Sequence, residues 1–181
     1  MKNKVSVVMP CFNSEKFIHQ AINSVLNQSY TNIELLICDD GSEDKSKNII
    51  NEFAKKDSRV IPLQNKHPKG AAGARNTCLD QASGDFIAFL DSDDFWYKDR
   101  IERHLKYMLE NNLFFSYSYN NVVDEEGKYI NRLYAPDSLN SKKMRFHCFI
   151  SCSTVLIDKR ITGPFHQPVI KRRNDYATWL R

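Results

Sequence analysis

Three carboxylates fall within four positions at the end of the stretch Asp85-Phe86-Ile87-Ala88-Phe89-Leu90-Asp91-Ser92-Asp93-Asp94. Asp91, Asp93 and Asp94 crowd like charges together, which costs energy unless a cation sits among them. Hard divalent cations take oxygen ligands, and Mg²⁺ or Mn²⁺ typically uses one or two carboxylates together with substrate phosphates. Phe86 to Leu90 reads as a buried strand. In open α/β sheets, ligands bind beyond the carboxyl ends of strands. The chemistry on offer is therefore a metal–diphosphate site at a strand end. The plainer reading is a polar turn leading into the helix after Trp96.

Other stretches offer complementary groups. In Asp39-Asp40-Gly41-Ser42, a carboxylate at a strand end can accept a hydrogen bond from a base N–H or a ribose hydroxyl, or the four residues are an ordinary Asp-Gly turn. Gly70-Ala71-Ala72-Gly73-Ala74-Arg75-Asn76 presents backbone N–H groups at a helix start plus the Arg75 guanidinium, a combination that suits phosphate. It lacks the Gly-Lys-Ser/Thr ending of a Walker loop, and it does not follow the first strand as a dinucleotide GxGxxG does. It can equally be a glycine turn beside an exposed arginine. Asp175 opens the segment Asn174 to Leu180, after the basic run Lys171-Arg172-Arg173. In the first turn of a helix its ionised form is favoured, and an ionised carboxylate near a pocket can serve as a general base. The alternative is a capping residue on an ordinary helix.

These groups need elements to hold them. Val5 to Met9 reads as a first strand stopped by Pro10. Ser14 is placed to cap a helix over about 15–28, with Phe17, Ile18, Ala21, Ile22, Val25 and Leu26 as its stripe. Ile33 to Cys38 is a second strand, followed by a helix starting at Ser42. Val60 to Gln64 is a third strand, and the glycine turn leads into a third helix ending near Ala82. Gly84 occupies the C′ position that glycine favours, and the Asp85 to Leu90 strand follows. Four strand–helix alternations with short connections predict a parallel, doubly wound sheet flanked by helices. Beyond Asp94 the spacing gives a helix over Lys98 to Asn111 and a half-buried strand over Phe114 to Asn120. A hairpin turn spans Asp124 to Lys128, a late strand Cys152 to Ile157, and a final helix starts at Asn174 or Asp175. Residues from about 132 to 150 are the least legible.

Composition narrows the class. The 181 residues are 41% hydrophobic and 27% charged, an ordinary soluble balance. A net charge of +4 is too small to argue for nucleic acid. No apolar run reaches membrane-spanning length, and Met1 to Lys4 lead straight into a strand without a signal-peptide h-region. Five cysteines (Cys11, Cys38, Cys78, Cys148, Cys152), odd in number and without CxxC spacing, argue for reduced cytosolic thiols over disulfides or a zinc site. The chain reads as one domain over 1–181. The end inside a helical pattern suggests a trimmed C terminus.

Taken in order, Val5-Ser6-Val7-Val8-Met9-Pro10-Cys11-Phe12-Asn13, Asp39-Asp40-Gly41-Ser42-Glu43-Asp44, Gly73-Ala74-Arg75-Asn76, Phe89-Leu90-Asp91-Ser92-Asp93-Asp94 and Asn174-Asp175-Tyr176-Ala177-Thr178-Trp179-Leu180 resemble the family 2 glycosyltransferases over nearly the whole chain. The likeness is greatest to bacterial surface-polysaccharide transferases of the teichuronic acid and lipopolysaccharide-core type. The resemblance implies a GT-A fold: a mostly parallel, Rossmann-like sheet flanked by helices, with a smaller mixed or antiparallel acceptor-side portion, the nucleotide-sugar-binding half lying at 1–97 and the acceptor-side half at 98–181. It implies inverting transfer from a nucleoside diphosphate sugar, with UDP-sugars favoured, to a glycan or lipid-linked glycan acceptor. Pro10, Cys11 and Phe12 would contact the nucleotide base, Asp39 and Asp40 the uracil side, and Arg75 the diphosphate. Asp91 and Asp93 would be the ends of the DXD motif around Ser92, with Asp91 nearer the ribose, Asp93 the principal ligand of Mn²⁺ or Mg²⁺, and Asp94 beside them. Asp175 would be the catalytic base, although many relatives carry an acidic residue where this chain has Asn174. Cys152-Ser153-Thr154 would border the acceptor side. No nucleic acid partner is implied. The location would be cytoplasmic, with peripheral association at the inner membrane face. Lys142, Lys143, Arg145 and Lys171 to Arg173 are available to an anionic acceptor or membrane surface. Two other readings stay open. A sugar nucleotidyltransferase usually shows a glycine- and lysine-rich signature after the first strand, which Pro10-Cys11-Phe12-Asn13 is not. A non-catalytic nucleotide-sugar-binding module would bind donor without transfer.

Overall fold

The computed structural model describes residues 3–139, 141–144, 148–171 and 173–180. Its main sheet has six strands in the order β3-β2-β1-β4-β8-β5, and a two-stranded hairpin pairs β6 with β7. β1 (Val5–Cys11), β2 (Ile33–Asp39), β3 (Val60–Gln64) and β4 (Phe86–Phe89) run parallel. β8 (Leu156–Asp158) is antiparallel to β4 and to β5 (Phe115–Ser116). The hairpin is β6 (Asn120–Val123) with β7 (Tyr129–Leu133). The expected architecture, a mainly parallel sheet with an antiparallel addition, is the observed one.

β1 is buried along its whole length because helices cover both faces of the sheet. Val5, Val7, Met9 and Cys11 point into a core with α1 (Ile18–Leu26), α2 (Ser46–Lys56) and α4 (Arg100–Glu110). Val8, Leu36, Ile87 and Phe89 point the other way, toward α3 (Ala71–Gln81) and the late segment of the chain. Successive strands step outward from β1 to β3, then the chain crosses back to place β4 on the other side of β1. The carboxyl ends of β1 and β4 therefore flank a topological switch point, where a crevice opens.

Several boundaries differ from the sequence expectations. Pro10 does not stop β1 but pairs with Cys38. Val8, two residues earlier on the same side, is the last β1 residue to bond β4, accepting from Leu90 N–H. Pro10 thus faces a side where the ladder has ended, and its missing N–H costs nothing there. Ser14 does not cap α1 with its hydroxyl; its carbonyl accepts from Phe17 and Ile18 N–H, and its Oγ bonds Ser92 Oγ at 2.7 Å. α2 begins at Ser46 rather than Ser42, because Ser42 is engaged with Asp39. The 114–120 strand shrinks to Phe115–Ser116, and Cys152–Thr154 is a 3₁₀ turn ahead of β8. Gly84 is not a left-handed cap. A Cβ there would lie 2.6 Å from Ser6 Oγ and 2.7 Å from Ser6 N, so glycine is needed for close approach of two backbones. The hairpin expected after Lys128 forms, with β7 running two residues into the illegible region, which also contributes the short helix α5 (Ser141–Met144). A short helix, α6 (Lys159–Thr162), follows β8, and α7 spans Asn174–Trp179. Among the described residues no helix is long and apolar enough to cross a membrane.

Candidate functional site

Two cavities open on the carboxyl edge of the sheet. The smaller, about 240 Å³, lies beyond β1 and β4 and is bordered by Pro10, Cys11, Phe12, Ser14, Asp40, Ser92 and Asp93. The larger, about 600 Å³, lies between the start of α3 and the segment leading into α7, with Lys69, Cys152, Lys171, Arg173 and Asp175 on its walls. Ala71, Arg75 and Asp91 border both. Residues separated by up to 165 positions in sequence, from Pro10 to Asp175, thus surround one continuous crevice.

Arg75 stands at the junction, only 7% exposed. Its Nη2 donates to Asp91 Oδ1 at 2.5 Å, and its Nη1 to Gln167 Oε1 at 3.3 Å. Burial works against the charge, but the Asp91 carboxylate, through its charge and hydrogen bond, and the Asp175 carboxylate outweigh it and raise the guanidinium's pKa. Arg75 Nε and Gln167 Nε2 are buried without a protein partner among the described residues. α3 reaches this depth because its inner residues are small: Ala72, Gly73, Ala74, Thr77 and Cys78 are all buried. The glycine stretch is therefore helix from Ala71 onward. Gly73 is needed for packing: a Cβ there would land on the Pro68 carbonyl.

The aspartate loop is held by a residue distant in sequence. Ser153 Oγ donates to Asp94 Oδ2 at 2.5 Å and accepts from Asp91 N–H at 3.1 Å. The Ser153 carbonyl in turn accepts from Trp96 Nε1 at 2.9 Å and from Arg100 Nη2 at 3.3 Å. Arg100 also stacks over the Trp96 ring, 4.0 Å from its centroid. Asp94 is exposed as a residue, yet its carboxyl is pressed against the turn. Its pKa is raised, first by desolvation and further by the charges of Asp91 and Asp93, against the Ser153 hydrogen bond. Asp93 is exposed, and its side chain makes no hydrogen bond or ion pair among the described residues. Three crowded carboxylates, one of them reluctant to ionise, form a donor set that fits a hard divalent cation.

The Asp-Asp-Gly-Ser stretch divides its work. Asp40 Oδ1 accepts from Asn65 Nδ2 at 2.6 Å and its Oδ2 from Gly70 N–H at 2.7 Å, so it ties the β3–α3 loop to the end of β2 while bordering the smaller cavity. Asp39 pairs in register with Cys11, accepts from Ser42 Oγ at 2.5 Å, and borders neither cavity. Burial pushes the Cys11 thiol up to about 11, partly offset by its hydrogen bond with Ser46, so it lines the wall as an uncharged group. Phe12 is exposed, with Lys69 Nζ 4.8 Å from its ring centroid.

Asp175 sits in the first turn of α7. Three positions apart on one face, the half-buried Tyr176 and Trp179 pack against the core. The Trp179 ring meets Phe89 of β4 at 5.7 Å and Phe115 of β5 at 5.4 Å, and the Tyr176 hydroxyl bonds the Met144 carbonyl. This anchoring leaves Asp175 at the cavity wall. The segment before α7 is fastened by Gln167, whose N–H donates to Asn76 Oδ1 at 2.7 Å while its carbonyl accepts from Asn76 Nδ2 at 2.9 Å. Neither Gln167 nor the tethering role of Ser153 was evident from sequence, since no local signal marks a contact across 91 or 62 positions. Of the basic residues considered, Lys142 and Lys171 are exposed and Arg173 borders the larger cavity. Arg145, Arg172 and the Lys143 side chain lie outside the described residues.

Comparison with known proteins agrees with this geometry. WfgD of Escherichia coli, a UDP-Glc:alpha-D-GlcNAc-diphosphoundecaprenol beta-1,3-glucosyltransferase, is 43% identical over 176 residues, covering 97% of this chain and 68% of that protein. The putative teichuronic acid biosynthesis glycosyltransferase TuaG of Bacillus subtilis is 38% identical over 180 residues, covering 99% of this chain and 71% of that protein. Among solved structures, S. aureus TarS 1–349 in complex with UDP-GlcNAc superposes with a TM-score of 0.73 at 24% identity, over 96% of this chain and 52% of that one. The mannosyltransferase PcManGT of Pyrobaculum calidifontis, in complex with GDP-Man and Mn²⁺, does so with a TM-score of 0.64 at 15% identity, over 93% of this chain and 48% of that one. The chain thus spans about two thirds of the curated relatives and half of the solved neighbours. The structural likeness shows the fold, which is the GT-A fold of TarS. The family model for glycosyl transferase family 2 matches residues 6–160, which takes in the ends of β1 and β2, the start of α3 and the aspartate loop, and the chain belongs to that family.

Proposed function

We propose that this chain forms the donor and base sites of an inverting, metal-dependent glycosyltransferase. It would move a sugar from a UDP-sugar to a hydroxyl of a lipid-linked diphosphate glycan during bacterial surface-polysaccharide synthesis. The observation that carries this reading is the shared Arg75–Asp91 pair, which joins a cavity suited to a nucleotide to one with a carboxylate, Asp175, in its wall. The UDP-GlcNAc bound to TarS and the donor and acceptor in the name of WfgD support it.

The nucleoside occupies the smaller cavity against Pro10, Cys11 and Phe12, with Asp40 on the base side, Asp39 outside the cavity lining beside Cys11, and Asp91 and Ser92 toward the ribose. The diphosphate lies at the junction, where Arg75 keeps its charge and offers electrostatic stabilisation. Asp93 and Asp91 would hold the divalent ion, Mn²⁺ or Mg²⁺, with Asp94 beside them. When bound, such an ion supplies Lewis-acid neutralisation of charge on the leaving diphosphate; the Mn²⁺ of PcManGT supports the choice. Asp175 accepts the proton of the acceptor hydroxyl. The acceptor oxygen attacks the anomeric carbon on the face opposite the diphosphate. As that C–O bond forms, the bond to the phosphate oxygen breaks and its electrons leave with the nucleoside diphosphate. One base carboxylate suffices, since no sugar–enzyme bond forms. Lys171 and Arg173, close to Asp175, suit an acceptor that carries its own phosphates.

Two measurements test the reading. Titration calorimetry with UDP, with and without Mn²⁺, should show metal-dependent binding that Asp93→Ala removes. Asp175→Asn should then abolish transfer from a UDP-sugar to a lipid-linked acceptor while leaving UDP affinity within about twofold of wild type, a difference under ~0.4 kcal/mol. Unchanged turnover in Asp175→Asn would remove that residue from the base role. UDP binding with no transfer to any acceptor would favour a donor-binding module.

A further inference from the structure

Away from both cavities, three side chains from separate parts of the chain converge on the outer side of α3. His67 comes from the β3–α3 loop, Asp80 from the last turns of α3, and His166 from the segment after α6. His67 Nε2 lies 2.8 Å from Asp80 Oδ2, and His166 Nε2 lies 2.7 Å from Asp80 Oδ1. The two imidazoles meet edge to face with centroids 5.3 Å apart. One nitrogen from each ring and a carboxylate oxygen all fall within 4.8 Å of one another, and all three side chains are reachable from solvent.

We propose that His67, Asp80 and His166 form a binding site for a zinc-class divalent ion, which clamps the segment after α6 onto α3. Imidazole and carboxylate together suit Zn²⁺ and its neighbours better than Mg²⁺ or Ca²⁺, which take oxygen ligands. Two nitrogens and one oxygen fill three corners of a tetrahedron and leave the fourth to water. The ion takes the place of the Nε2 protons now shared with the carboxylate. Each ring then binds as neutral imidazole with its proton on Nδ1. Three carriers would be fixed at one point. His166 immediately precedes Gln167, which bonds Arg75 and Asn76. His67 is two residues from Lys69 at the mouth of the larger cavity. The ion would therefore act as a staple for two walls of the crevice. This assignment is independent of the aspartate loop and of the transfer reaction.

The test uses untagged protein. Competition of Zn²⁺ against a chromophoric chelator should show a high-affinity equivalent that Asp93→Ala keeps within about twofold. His166→Gln, and separately Asp80→Asn, should weaken it at least about tenfold, the effect of losing ~1.4 kcal/mol of binding energy. Both substitutions replace solvent-reachable groups, and circular dichroism checks that each variant is folded. Zn²⁺ should also slow amide exchange over residues 163–170 in the wild type and not in His166→Gln. Three results would overturn the proposal: no Zn²⁺ binding, unchanged affinity in the folded His166 and Asp80 variants, or a loss confined to Asp93→Ala, which would assign the ion to the aspartate loop.

Discussion

Replacing Gly73 by alanine should destabilise this protein, although the same change in most helices does the opposite. In an exposed helix interior, glycine to alanine stabilises by about 1 kcal/mol. Here a Cβ would land on the Pro68 carbonyl oxygen, with the Pro68 carbonyl carbon at 3.1 Å and Asn65 Nδ2 at 3.2 Å. The obstacle is backbone, so the 65–70 loop must retreat. That loop supplies both donors to Asp40, Asn65 Nδ2 at 2.6 Å and Gly70 N at 2.7 Å. Overpacking of this kind costs roughly 1–3 kcal/mol. Losing one hydrogen bond to a charged acceptor costs roughly 1.5–3 kcal/mol more. Set against the helix-propensity gain, the net loss is about 1.5–5 kcal/mol, a large share of the ~5–15 kcal/mol that holds a domain together. Urea unfolding should show a lower midpoint with an unchanged slope, and thermal unfolding a midpoint lower by about 3–20 °C. UDP affinity should fall as well, because Asp40 and Phe12, with Lys69 over its ring, border the smaller cavity. A Gly73→Ala protein as stable as wild type, or more so, would refute the reasoning and make Gly73 an ordinary helix glycine.

Ser153→Ala removes the donor to Asp94 and the acceptor for Asp91 N–H, so UDP affinity in the presence of Mn²⁺ should drop by about tenfold, as expected for one charge-assisted hydrogen bond. Calorimetry on Ser153→Ala and on Ser153→Thr, which keeps a hydroxyl, checks this; equal affinity in all three proteins would remove Ser153 from the site. His104 gives a pH dependence. Burial, with the Arg100 charge adding to it, drives its pKa down to about 3 from the ordinary value of 6.5. Its neutral ring, hydrogen bonded to Ser116, is the form the fold accommodates. The native state therefore binds fewer protons than the unfolded chain between these values. The contribution is fully present above pH 6.5 and is lost as pH falls toward 3, by up to about 1.4 kcal/mol per unit. Urea unfolding at pH 7 and pH 4.5 should show a steeper loss for wild type than for His104→Gln, and parallel losses would overturn the assignment.

The sequence by itself determined the alternating elements of the first ninety-odd residues, because strand and helix periodicities are local and both faces of this sheet are covered. It also singled out Arg75, Asp91, Asp93 and Asp175, since their types and their places at element ends suit the chemistry proposed. The tertiary structure decided what those positions touch. Gly84 looked like a helix stop and proved to be a contact between backbones, a distinction that depends on Ser6 arriving from 78 positions away. Cys152–Thr154 looked like a strand because β-branched and small residues fit one, yet the turn is fixed by Trp96 and Arg100 gripping the Ser153 carbonyl. Gln167, and the meeting of His67, Asp80 and His166, leave no trace in local pattern. Propensity and periodicity report on neighbours within a few residues, whereas a binding crevice is assembled by side chains whose only proximity is in space.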